Sequence, residues 1–144
     1  MMNNVFLCRR GVFTLRAALV IFCLISWGTA DFAFGQTTWT APAGANSYKN
    51  PYSGNGTATA AGKTLYDQFC SICHGNKGKG DGLAGMTLKP RPANFRSMPV
   101  QAQTDGAIYW KITQGRPPMA SYKEALTEQQ RWQLVNYIRQ LGGK

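Results

Sequence analysis

The chain has 144 residues and carries 16 Lys and Arg against 6 Asp and Glu, a formal net charge of +10. That length holds one domain with extra segments. A basic balance of this size is one mark of nucleic-acid binding, but here the cations are scattered and no nucleic-acid motif accompanies them.

The extra segments come first. Arg9, Arg10 and Arg16 precede an apolar run from Ala17 to Trp27, and Ala33-Phe34-Gly35 offers small residues where a signal peptidase reads. Residues 1–35 therefore read as a secretory signal cleaved before Gln36, with cleavage after Ala30 as the second choice. The apolar run is about eleven residues, short of the roughly twenty of a spanning helix, so an uncleaved anchor is the alternative. Arg9-Arg10 is out of register for a twin-arginine signal. Export places the protein in the periplasm or on the outer face of the cytoplasmic membrane. Cleavage removes Cys8 and Cys23, and the rest holds 13 Lys and Arg against 5 Asp and Glu, a net of +8.

Residues 36–57 are rich in Gly, Ser, Asn, Thr and Pro without apolar periodicity, and read as an extended N-terminal arm. Trp39, Tyr48 and Tyr52 are expected to tack it onto the surface of its own domain. A helix is expected from Ala58 to Ile72, where Leu65, Tyr66, Phe69, Ile72 and Cys73 recur at helical spacing. Gly62, one turn before Tyr66, costs about 1 kcal/mol against alanine, for which close approach of another helix would compensate.

The helix runs into Cys70-Ser71-Ile72-Cys73-His74. Two thiols three positions apart with an imidazole next to them match the signature of covalent haem attachment. Each thiol reaches one vinyl group of the porphyrin, and the adjacent imidazole sits under the iron as proximal ligand. Competing readings lack partners. A structural zinc site needs four ligands, and beyond the signal segment Cys70, Cys73 and His74 are the only Cys and His. A dithiol redox motif belongs beside a βαβ pattern, which is missing, and a simple disulfide leaves His74 and Gly75 unexplained.

Gly75 to Gly85 is a glycine-dense basic loop, followed by an extended Lys89-Pro90-Arg91-Pro92. A second helix is expected from Thr104 or Asp105 to Gln114, capped by Thr104 and stopped by Gly115. The loop Gly115-Arg116-Pro117-Pro118-Met119-Ala120-Ser121-Tyr122 is stiffened by its prolines. The last helix has a capping box, Thr127 with Gln130, a stripe of Trp132, Val135, Ile138 and Leu141, and Gly142-Gly143 at its end. No segment alternates with a two-residue period, so the expected fold is all-α: three main helices around a covalently bound haem. The domain proper, 58–144, is small enough that its peptide core alone would be marginal, which makes the haem part of the core.

With no other histidine, the second axial position is left to Met, Lys, a terminus, water or nothing. Met86 and Met98 read as packing residues. Met119 sits in the proline-stiffened loop, 45 residues past His74, where the chain can return across the opposite face, and it is the favoured ligand. Methionine opposite histidine raises the reduction potential of the iron and fills its coordination sphere, which suits one-electron transfer. The free ring nitrogen of His74 is expected to meet a backbone carbonyl near Pro90 or Pro92.

With these residues in place the chain resembles class I mono-haem cytochromes c. The likeness spans about Ala58 to Leu141 and rests on G-K-T-L-Y-D-Q-F-C-S-I-C-H-G, on G-K-G-D-G-L-A with P-R-P-A-N-F, on I-T-Q-G-R-P-P-M and on W-Q-L-V-N-Y-I-R. It implies haem attachment through Cys70 and Cys73, iron ligation by His74 and Met119, and a crossing of the first and last helices where Gly62 and Tyr66 meet Tyr137. Shorter matches are similar to small cytochrome subunits of bacterial respiratory and sulfur-oxidising complexes. The function expected is electron transfer between redox proteins, free or within a respiratory complex, with no catalysis of its own. Lys77, Lys79, Lys89, Arg91, Lys111, Arg116 and Lys123 are candidates to face an acidic partner. The alternative is a haem enzyme or sensor with an open sixth position, which would want a distal acid or base.

Overall fold

A computed structural model describes residues 38–143, and everything below belongs to the unit that begins at Trp39. The export signal expected over residues 1–35 lies outside the described residues.

Each long helix begins where a side chain satisfies an otherwise unpaired backbone N–H. Helix α1 (Gly56–Phe69) starts two residues earlier than the apolar spacing indicates, because the Asn55 side chain accepts from the Ala58 N–H at 2.9 Å. It also ends earlier. Cys70, at φ −115° and ψ −35°, interrupts the helix while staying in the right-handed helical region, and the chain resumes as the single turn α2 (Ser71–His74). Ile72, in this turn, is 58% exposed, although its spacing places it on the buried face. Helix α4 (Asp105–Gln114) is capped by Thr104, whose Oγ1 accepts from the Ala107 N–H at 3.1 Å, and stops at Gly115. Helix α5 (Glu128–Leu141) carries the reciprocal capping box between Thr127 and Gln130. One further turn, α3 (Met98–Gln101), was not anticipated.

Helices α1 and α5 pack together over Gly62. A Cβ there would lie 2.0 Å from the Gln133 carbonyl oxygen and 3.2 Å from Tyr137 Cβ, so only glycine admits this approach. One turn on, the Tyr66 and Tyr137 rings meet with centroids 5.1 Å apart. The core gathers Tyr66 of α1, Ile108 and Ile112 of α4, Leu126, and Trp132, Leu134, Val135, Tyr137 and Ile138 of α5. Fully burying a side chain of this kind contributes roughly 1.5–3 kcal/mol. No strand is present among the described residues; one isolated bridge joins Arg116 and Met119. No described helix is long and apolar enough to cross a membrane.

Residues 39–55 lie along α4 and α5, with a 3-10 turn at Ala43–Ser47. Asn50 donates to Asn136 at 2.7 Å and to Asp105 at 3.2 Å, and Asn136 donates to the Tyr52 carbonyl at 2.6 Å. Tyr48 meets the Tyr109 ring edge-on, and Trp39 lies 6.4 Å from Trp110. Gly106 lets this segment in: a Cβ there would sit 2.0 Å from the Ala45 carbonyl oxygen.

Candidate haem site

The turn at the end of α1 brings Cys70, Cys73 and His74 together. The N–H groups of Cys73 and His74 both donate to the Cys70 carbonyl, at 3.2 and 2.9 Å. Both thiols are half-buried and free of disulfides. Burial, with a smaller effect of Cys73, pushes the Cys70 thiol up to about 12. Gly75 closes the turn at φ +77°, where a Cβ would strike Asp81. Behind it the buried Tyr66 hydroxyl donates to the Gly75 carbonyl at 2.6 Å.

The loop after His74 folds back over this turn. The Gly80 N–H donates to the His74 carbonyl at 2.8 Å, and the Gly82 N–H to that of Cys73 at 3.2 Å. The Phe95 N–H reaches the Gly78 carbonyl at 2.7 Å. This places the Ala93 carbonyl 3.0 Å from His74 Nδ1. The acceptor is thus Ala93, the residue after the expected Lys89–Pro92 stretch, and neither Pro90 nor Pro92. A carbonyl can only accept, so the neutral ring carries its proton on Nδ1 and keeps the Nε2 lone pair for a metal. Burial lowers the His74 pKa, and the bond to Ala93 opposes this more weakly. Phe95 fixes the ring plane by stacking on it, centroids 4.2 Å apart at 15°.

Met119 lies in the loop between α4 and α5, half-buried. Its N–H donates to the Arg116 carbonyl at 2.8 Å and its carbonyl accepts from the Arg116 N–H at 3.0 Å. Farther along, the Ser121 hydroxyl donates to the Thr113 carbonyl at 2.7 Å, and the Tyr122 N–H to that of Ile112 at 3.1 Å. The Tyr122 hydroxyl donates to the Phe69 carbonyl at 3.0 Å. The structure thereby ties the residue three beyond Met119 to the residue just before Cys70. Met86 and Met98, expected as packing residues, are instead exposed, at 52% and 81%.

The cations expected to face a partner divide into two groups. Lys77, Lys79, Lys89, Arg91 and Lys123 are exposed. Lys111 and Arg116 lie over the Trp39 ring at 5.5 and 5.2 Å from its centroid. Burial, and secondarily Arg116, lowers the Lys111 pKa. Phe95, which stacks on His74, and Tyr122, which bonds the residue before Cys70, were not reached from the sequence.

Residues 59–142 match the Cytochrome c family. A search of curated proteins gives no match. Among solved structures, a chain of the Kuenenia stuttgartiensis reducing HAO-like protein complex Kustc0457/Kustc0458 is similar, with a TM-score of 0.54 and 26% identity. The match covers 60% of this chain and 44% of that one, so this chain spans less than half the length of that relative. The KustC0563 c-type cytochrome is 32% identical over 56% of this chain and 95% of its own, with a TM-score of 0.48. Two free thiols beside an imidazole with an available Nε2 form the donor set that covalent haem requires. The chain belongs to the cytochrome c family, and its cofactor is covalently bound haem c.

Proposed function

We propose that Cys70 and Cys73 hold the haem through thioether links, that His74 Nε2 and the Met119 sulfur are its axial ligands, and that the protein passes single electrons between redox proteins outside the cytoplasmic membrane. The observation that carries the reading is the bond from His74 Nδ1 to the Ala93 carbonyl, 3.0 Å long. It selects the tautomer that leaves Nε2 a ligand and raises its basicity. Bound there, haem supplies a one-electron ferric/ferrous couple.

The chain's own residues hold that couple in place. Phe95 and the Ala93 carbonyl fix the imidazole. Tyr66 anchors the turn behind it, and Tyr122 moors the Met119 loop to the end of α1. His74 and Met119 would together hold the iron with the chain's own residues, which would leave it no site for a substrate. The exposed Lys77, Lys79, Lys89, Arg91 and Lys123 steer an acidic partner, so the docking rate falls as salt is added. The similar Kuenenia chain is part of a multi-subunit complex, which supports a place for this chain as one subunit among redox partners.

The test is spectroscopic. The oxidised protein should show the weak far-red band of sulfur bound to iron, and Met119→Ala should abolish it. Tight carbon monoxide binding by the native reduced protein would instead indicate an open sixth position and an enzyme or sensor.

A further inference from the structure

Arg131 is the fourth residue of α5, and only 8% of it is exposed. Three features of its setting are unfavourable. Burying a cation costs several kcal/mol unless it is paired and hydrogen-bonded. The ion pairs among the described residues are Lys63–Asp67 and Arg139–Asp105, so no carboxylate neutralises it. It also stands in the opening turns of its helix, the end whose dipole disfavours positive charge. One polar atom, Nε, is buried with no hydrogen-bond partner.

The compensation lies in what the guanidinium grips. Nη1 donates to the carbonyls of Tyr122 (3.4 Å), Lys123 (2.9 Å) and Leu126. Nη2 donates to the Tyr109 hydroxyl at 3.0 Å, and the guanidinium carbon lies 5.3 Å from the centre of that ring. Tyr109 is itself held face to face with Trp132, centroids 4.0 Å apart at 15°. The three carbonyls belong to one stretch, the half of the α4–α5 loop that follows Met119. The guanidinium fork lets one nitrogen hold these carbonyls while the other reaches the Tyr109 hydroxyl.

We infer that Arg131 is a positioning residue for the sixth ligand: by clamping the backbone at residues 122–126 it holds Met119 in reach of the iron. Tyr122 is then fixed at two points, its carbonyl by Arg131 and its hydroxyl by Phe69. The inference rests on the proposed ligation by Met119.

Imidazole binding to the oxidised, haem-loaded protein tests it, because imidazole can bind only when the methionine has left. Arg131→Met should bind imidazole at least about tenfold more tightly than the parent and show a weakened far-red band. Arg131→Lys, which keeps the charge but not the fork, should fall between. Asn136→Ala, which loosens the N-terminal segment against α5, should lower Tm with imidazole affinity unchanged. If the Arg131 variants match Asn136→Ala, losing Tm while imidazole affinity stays at the parent value, the clamp is refuted. Should Arg131→Met not fold, an unchanged affinity in Arg131→Lys refutes it equally. A far-red band that survives Met119→Ala overturns the ligand assignment itself, a result distinct from failure of the clamp.

Discussion

The Tyr122 hydroxyl donates to the Phe69 carbonyl at 3.0 Å, so a side chain from the α4–α5 loop closes the end of α1. The two rings also meet, centroids 6.2 Å apart at 71°. One residue later stands the first cysteine of the haem motif, and three residues before Tyr122 stands Met119. The two halves of the site are thus joined by a contact that contains neither of them.

That bond gives the fold an alkaline limit. Burial raises the Tyr122 pKa above its ordinary value of 10.0; Cys70 and Cys73 add less, and nothing once their sulfurs are thioethers. The folded state holds this proton more tightly than the unfolded chain. Its stabilisation is therefore complete below pH 10.0 and is lost as pH rises through the raised value. Tyr122→Phe should cost about 1 kcal/mol at neutral pH and should decline less steeply in alkali. Thermal melts of both proteins across that window check this, since Tyr66 titrates in both and cancels. Parallel curves would contradict it.

Gly62→Ala should destabilise despite the better helix propensity of alanine. The gain of about 1 kcal/mol is set against a Cβ 2.0 Å from the Gln133 carbonyl oxygen. Backbone cannot yield there without moving α5 as a whole, and overpacking of this kind costs about 1–3 kcal/mol or more. We expect a net loss of about 2 kcal/mol, seen as a lower denaturation midpoint at unchanged m-value.

Phe95→Ala should act on both stability and the iron ligand. The ring is partly buried between His74 and the edge of Tyr66. Its truncation should cost about 2 kcal/mol, below the range for a fully buried ring. The imidazole, still bonded to Ala93, loses the face that sets its plane. Paramagnetic proton shifts of the oxidised protein should change in Phe95→Ala and return toward the parent in Phe95→Tyr. Identical shifts in all three would show that the stacking does not orient the ligand.

Local signals made most of the fold legible. Thr104, Gly115, and Thr127 with Gln130 mark the ends of α4 and α5 through chemistry that acts within a few residues. Gly62 marks the helix crossing because only a close neighbour justifies a glycine there. Misreadings arose where apolar spacing outlasts the helix. Ile72 keeps the register of Phe69, yet α1 has ended at Phe69 and Ile72 lies in the separate turn α2. The turn α3 was not anticipated; Pro99 stands in its first turn, where no N–H is needed from it. Arg131 carries no local signal at all. Its burial depends on Tyr109 and on carbonyls from residues 122–126, which only the folded chain assembles. Likewise the choice of Ala93 as acceptor follows from how the loop 75–95 folds back.

Mass spectrometry of protein matured in a host that exports it and assembles c-type cytochromes is the most direct trial of the haem assignment. The account predicts an intact mass increased by one haem, and a digest in which the peptide containing Cys70 and Cys73 carries that haem through both sulfurs. An unmodified peptide with two free thiols would contradict it.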